Sequence, residues 1–194
     1  MRTAALDNGL VLAAAAIAAA LVIPVSAQAA KESFTGFAIN LNSNGPKTGV
    51  VDFTIERWST DQERNQLLSI ITEKKNPTDP LLKALQKMPK VGWIRTPTSL
   101  GWDLRYAHQI KDEDGRGRRI VLATDRPIAF VEARNNTRTM DYPFTIIEMR
   151  LDAEDKGEGK ILAGTKIFVD KNKNIVLENY GQQPVRFNEI HKVK

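Results

Sequence analysis

Cysteine is absent from the 194 residues of this chain. Its absence excludes disulfide bonds, thiol catalysis, cysteine-ligated metals and lipid attachment at an N-terminal cysteine. Histidine is also scarce, because His108 and His191 are the only two and neither belongs to an HExxH-type spacing. A zinc site built on these histidines would need carboxylates to complete it. We therefore predict no metal and no cofactor.

Catalytic and nucleotide-binding signatures are lacking as well. The chain has no nucleophile elbow, phosphate loop or dinucleotide fingerprint. Residues 170–181 begin like a calcium loop, but Ile175 stands where the sharp bend requires glycine and Gly181 where a bidentate glutamate belongs. A hairpin turn is the better interpretation of that segment. We name no catalytic residue. The sequence favours a protein that is not an enzyme, and an enzyme stays as an alternative.

Basic residues outnumber acidic ones, 28 to 23, for a formal net charge of +5. The lysines and arginines are scattered through the chain and are not gathered on one helix, a distribution typical of a solvated basic surface. This distribution predicts no nucleic-acid partner, although the net charge permits loose attraction to anionic surfaces.

An apolar run covers residues 10–25, near the N-terminus. At about 16 residues it is shorter than the roughly 20 that a spanning helix needs, and small residues at a signal-peptidase spacing follow it. We predict a signal peptide over residues 1–29, cleavage near Ala29, and a periplasmic or extracellular protein without stable membrane insertion. The alternative is an uncleaved anchor, because Asp7 weakens the positive charge that usually precedes such a run.

Residues 102–151 contain four short runs rich in β-branched and aromatic residues: WDLRYAHQI, RRIVLAT, PIAFVEA and PFTIIEMRL. Turn-forming residues separate these runs, so they predict four successive antiparallel strands, the third over residues 127–133. The segments 160–170, 175–181 and 184–193 alternate in the same way and predict three more strands.

A hairpin is predicted before this region, from ESFTGFAINLN and TGVVDFTIERW. Alternation places Phe37, Ile39 and Leu41 on one face, and Val51, Phe53 and Ile55 on one face of the second strand. Together with the later strands, the total is about ten. We predict a single mainly β domain over residues 30–194, an antiparallel barrel or sandwich.

Two helices are predicted within this β domain. Thr60 and Glu63 form a capping box, and the apolar spacing that follows predicts a helix to about Lys74. Asp79 and Pro80 are typical of the start of a second helix, which ends at Pro89. We expect a helical hairpin over about residues 60–88, packed at one edge or over one mouth of the barrel through Leu67, Ile70, Leu81 and Leu85.

The runs LQKMPKVGWIRTPTSLGWDLRYA and DYPFTIIEMRLDAEDKGEGK resemble a group of uncharacterised exported bacterial proteins. The resemblance covers nearly the whole chain after the signal peptide and implies a single exported domain. It implies no activity, ligand or site residue. The strand layout is also similar to that of lipocalin-like barrels, by analogy of layout alone.

Strand alternation places Trp102, Leu104, Tyr106, His108 and Ile110 on one face. Ordinary core packing explains such a face, and a pocket wall is the alternative. For the pocket we name Trp93, Trp102, Tyr106 and His108 as candidate ligand-binding residues, which would hold a small apolar or amphipathic molecule inside a barrel. A structural or protein-interaction module with a filled core is the second hypothesis, and an enzyme of unknown class is the third.

Overall fold

The computed structural model describes residues 31–40, 47–74, 76–112, 115–128, 143–162, 165–169, 175–179 and 185–193. The predicted signal peptide lies outside these residues, so cleavage and export stay predictions. The described strands are β1 (Glu32–Asn40), β2 (Lys47–Ile55), β3 (Gly92–Arg95), β4 (Trp102–Lys111), β5 (Arg118–Thr124), β6 (Ile146–Leu151), β7 (Lys156–Leu162), β8 (Thr165–Val169), β9 (Ile175–Asn179) and β10 (Arg186–Val193). The helices are α1 (Asp61–Glu73) and α2 (Thr78–Lys87).

Eight strands form a closed antiparallel barrel in the order β1-β10-β7-β6-β5-β4-β3-β2. The other two, β8 and β9, pair with each other in a separate two-stranded sheet. The mainly β prediction is confirmed, and of the two predicted architectures the chain adopts the barrel. The strand predicted over residues 160–170 is divided between β7 and β8.

Each of the eight barrel strands contributes side chains to the interior. On β2 the inward residues are the predicted set, and Val51, Phe53 and Ile55 are at most 1% exposed. Phe37 and Ile39 of β1 share a face as predicted, and this face is the outer one, because Phe34 and Ala38 are buried and Phe37 is 42% exposed. Both faces of β1 are apolar, so alternation alone was ambiguous. Pairing of Phe34 with Phe53 on β2 sets the inward face.

A bulge in β4 divides the face predicted for that strand. Leu104 pairs with Thr124 while Tyr106 pairs with Ala123, so Arg105 is an extra residue on β4. A bulge rotates the side chains that follow it. Leu104 and Ala107 therefore belong to the barrel interior, and Tyr106 belongs to a second apolar cluster outside the wall. The single wall from Trp102 to Ile110 was a wrong prediction.

No strand intervenes between β5 and β6, which pair directly from Arg118–Leu151 to Ala123–Ile146. The strand predicted over residues 127–133 is therefore not their neighbour in the barrel. Ile128 is described and lies outside any strand, and residues 129–142 lie outside the described part of the chain. A hydrogen bond joins the residues that follow β5 to those that precede β6: Thr145 Oγ1 accepts from the Ile128 amide at 2.8 Å.

The helices are inserted between β2 and β3 and pack on the outer wall of the barrel. The predicted capping box is present at Thr60 and Glu63. The predicted cap of the second helix is wrong, because α2 begins at Thr78 with Pro77 at the N-cap position and no side-chain cap. Leu67, Ile71, Leu81 and Leu85 cluster with outward residues of β4 and β5, so the hairpin covers a wall and not a mouth.

Polar contacts attach the base of the helical hairpin to the barrel. The Ser59 amide donates to the Ala107 carbonyl at 2.8 Å, and the Ala107 amide donates to Ser59 Oγ at 3.0 Å. Arg57 and Glu63 form a bidentate ion pair, with bonds of 3.0 and 2.8 Å. After α2, the Val91 amide donates to the Leu104 carbonyl at 2.8 Å. Both ends of the hairpin are thus fixed beside β4.

An ion-pair network closes one end of the barrel. Arg118 on β5 reaches Glu32 on β1, the strand diametrically opposite in the strand order, with Nη2 2.6 Å from Oε2. Its Nε also donates to Asp155 Oδ1 at 2.8 Å, and Lys192 Nζ lies 3.0 Å from Glu32. The Arg118 guanidinium lies 5.6 Å from the centre of the buried Phe34 ring. We call Arg118, Glu32, Asp155 and Lys192 the end network.

Candidate functional site

Two apolar regions are candidate binding sites. One is the barrel interior, and the other, which we call the seam, is the contact between α1 and α2 and the outer wall of the barrel. The interior receives side chains from all eight barrel strands, and the rings of Phe53 and Phe187 meet edge to face with centroids 5.2 Å apart. Phe34, Phe53, Phe187, Met149 and Ile190 are at most 1% exposed. These described side chains pack the interior as a protein core.

The seam contains a cavity of about 30 Å³. Both helices and strands β4, β5 and β6 contribute to its lining, which is entirely apolar at the cavity surface. The lining residues are Leu67, Ile71, Leu81, Leu85, Tyr106, Val121, Ala123, Phe144 and Ile146. Although roughly 10–15 Å³ suffices for one water molecule, a water needs polar partners that this surface lacks. The cavity is therefore suited to apolar groups.

The structure distributes the four candidate ligand-binding residues over three places. Trp93 lies on the outside of β3, where the Arg95 guanidinium is 4.5 Å from its ring centre. Trp102 is partly buried against the barrel interior. Tyr106 lines the seam cavity, and the His108 ring stacks beside it with centroids 6.2 Å apart. Only Tyr106 and His108 are brought together.

The residues of the barrel wall that line the cavity were not predicted from the sequence. Ile120 and Leu122 of β5 face the barrel interior, whereas Val121 and Ala123 face the helices. A strand that is apolar on both faces indicates burial on both sides. The run IVLA was therefore the available signal that a layer covers β5 from outside.

Burial sets the protonation of the two ring side chains beside the seam. Desolvation raises the pKa of the Tyr106 hydroxyl, which stays protonated. Desolvation lowers the pKa of His108, and the positive charges of Arg64 and Arg119 lower it further, while Asp61 acts in the opposite direction. His108 is therefore neutral at neutral pH, next to an apolar contact between β4 and α1.

The lowered pKa of His108 predicts a loss of stability in acid. Because the unfolded chain takes up the proton first, the contribution of neutral His108 is complete above the ordinary pKa of 6.5 and declines as pH falls below it. We expect the unfolding temperature to decline less between pH 7.5 and 5 in His108→Gln than in the wild type. Equal slopes for His108→Gln and the wild type would contradict the prediction.

No protein-family model, curated protein or solved structure matches the chain. The resemblance to exported bacterial proteins therefore stays a prediction. In the described ranges, no group of three or more His, Asp and Glu side chains is arranged to hold a metal ion. Neither described helix is long and apolar enough to cross a membrane.

Proposed function

We propose that this β-barrel protein binds a small apolar molecule in the seam between the helical hairpin and the outer wall of β4, β5 and β6. The observation that carries the proposal is the wholly apolar cavity at that seam. The described interior of the barrel, by contrast, is occupied by its own side chains. Of the apolar or amphipathic ligands predicted from the sequence, an apolar one would bind here, outside the barrel wall and not inside it.

The helical hairpin has the attachments of a hinged cover. Hydrogen bonds join its base to the barrel, at Ser59 and at the Met88 carbonyl, which accepts from Arg105 at 3.4 Å. The contacts over the cavity are apolar, through leucines of both helices. Apolar contacts are non-directional, so they tolerate small displacements better than hydrogen bonds. Outward rotation about the base would enlarge the cavity.

Such rotation is necessary for the proposed ligand. Sites for drug-sized molecules usually measure roughly 300–1,000 Å³, which is about ten to thirty times the volume of this cavity. The ligand should carry no buried charge, because the lining offers no polar partner to compensate for desolvation. The Tyr106 ring provides an aromatic surface in the lining. An uncharged aromatic or branched hydrocarbon group fits these requirements.

Filling the cavity with side-chain atoms tests the proposal. Ala123→Val adds two methyl groups at the cavity wall, on a strand where a β-branched residue is favoured. We expect the affinity for the uncharged fluorescent probe N-phenylnaphthylamine to fall by about tenfold or more, the equivalent of about 1.4 kcal/mol. The unfolding temperature should not fall. Fluorescence titration and thermal unfolding of the same samples measure both quantities.

Ala38→Val is the matched control, because it makes the same change inside the barrel, where Ala38 is 6% exposed. It should leave probe affinity unchanged. Loss of binding in Ala38→Val but not in Ala123→Val would place the ligand inside the barrel and reject the seam. A wild-type protein that binds no probe would favour a structural or interaction module with a filled core.

A further inference from the structure

One end of the barrel surface carries exposed apolar side chains. Phe37 on β1 and Val50 on β2 form a directly opposed pair, 42% and 38% exposed. Leu100, in the turn between β3 and β4, is fully exposed. Isolated exposed apolar residues are ordinary on protein surfaces, so what distinguishes these three is their position.

Strand pairing places the three residues at the same end. Asp52 of β2 pairs with Arg95, the last residue of β3. The turn that carries Leu100 follows Arg95 and therefore lies beside the half of β2 that contains Val50. Two strand spacings, about 10 Å, separate β3 from β1. We call Phe37, Val50 and Leu100 the apolar rim.

Three cations surround the apolar rim. Arg126 Nη2 donates to the carbonyl of Gly101, the residue after Leu100, at 2.8 Å. Arg186 on β10 pairs with Ile39 of β1 on one side and with Lys160 of β7 on the other. Among the described residues, no carboxylate forms a close ion pair with Arg126, Lys160 or Arg186, but Glu148 lies opposite Lys160 in the strand register and the charge of Asp103 interacts with that of Arg126. The nearby Asp52 lies 3.7 Å from Arg95, which offsets its charge.

We propose that the apolar rim is a docking surface for an anionic lipid membrane. Leu100, Phe37 and Val50 would enter the interfacial region, and the surrounding cations would contact headgroup phosphates. A lipid surface fits better than a protein partner, because three separated side chains provide far less apolar area than the roughly 800 Å² per partner of a stable protein interface. The proposal concerns peripheral contact and is independent of the seam site.

Vesicle sedimentation tests the surface. Vesicles of phosphatidylglycerol and phosphatidylcholine in a one-to-two ratio should bind the full chain, and pure phosphatidylcholine should bind it more weakly. Leu100→Glu should reduce the vesicle partition constant by about tenfold, because it replaces an inserting side chain with an anion. Arg186→Gln should weaken binding to the anionic vesicles alone, and added salt should reduce that difference.

Val193→Glu is the matched control, since Val193 is 48% exposed and pairs with Ser33 at the other end of β1. Val193→Glu introduces the same charge as Leu100→Glu, and both variants retain the N-terminal apolar run. Val193→Glu should therefore bind vesicles as the wild type does. Equal losses in Leu100→Glu and Val193→Glu would overturn the proposal. Absence of vesicle binding, together with a dimer in analytical ultracentrifugation that Leu100→Glu dissociates, would overturn it and assign the rim to a second copy of the chain.

Discussion

Replacing Leu85 with alanine is expected to lower the free energy of unfolding by about 2–5 kcal/mol and to increase the affinity for N-phenylnaphthylamine. Leu85 is 2% exposed and lines the seam cavity from α2. Its truncation removes buried methyl groups and enlarges the cavity that lies beside them. The lost packing destabilises the fold, and the new space favours an apolar molecule. Denaturant unfolding and fluorescence titration measure the two effects.

Leu122→Ala separates binding from general loosening of the protein. Leu122 is completely buried, but it faces the barrel interior on the other side of β5 from the seam. Its truncation should cost a similar free energy of unfolding. It should not increase the affinity for the probe. A similar gain in both variants would show that the probe reports loosened packing, and no gain in Leu85→Ala would contradict the seam site.

Replacing Arg118 with methionine is expected to lower the free energy of unfolding by about 3 kcal/mol. The side chains of Arg118 and Glu32 are 16% and 13% exposed, so removal of the guanidinium leaves a largely buried carboxylate with fewer partners. Lys192 remains 3.0 Å from Glu32 and limits the loss. Lys90→Met is the control, because the Lys90–Asp103 pair has a 2.8 Å contact but both side chains are more than 40% exposed. That change should cost less than about 1 kcal/mol.

The acid dependence of stability provides a second measure of the end network. Burial alone would raise the pKa of Glu32, but hydrogen bonds from Arg118 and Lys192 lower it overall. The carboxylate therefore contributes stability that is complete above the ordinary pKa of 4.5 and is lost as pH falls through the lowered value. Arg118→Met should lose less stability than the wild type over this range. An unchanged acid dependence would show that the network does not stabilise the barrel.

Local patterns predicted local structure well. The capping box at Thr60 and Glu63 and the inward face of β2 both follow from residues within one element, and both were predicted correctly. The bulge at Arg105 was not predictable, because it is set by the register between β4 and β5, and the neighbouring bond between Ser59 and Ala107 was not predictable either. Both involve residues far apart in sequence.

The candidate site was harder to predict for the same reason. Alternation indicates which residues share a face of a strand, but it does not say whether that face meets the interior or a second layer. Tyr106 was named as a candidate and lines the cavity, although on the outside of the barrel. Trp93 was also named, and its ring lies beside Arg95 on the outside of β3. The two aromatic residues differ in their tertiary packing, which the sequence of a single strand does not determine.

Closure of the barrel through β1 and β10 governs the order in which the protein can fold. Ser33 pairs with Val193, across almost the whole of the described chain. This pairing costs loop-closure entropy, because the two strands are far apart in sequence. It cannot form until β10 has been synthesised. Until then β1 and β7 each present an unpaired edge, which is a template for association with other chains. The closed topology therefore leaves these two edges open to such association until β10 has paired with both of them.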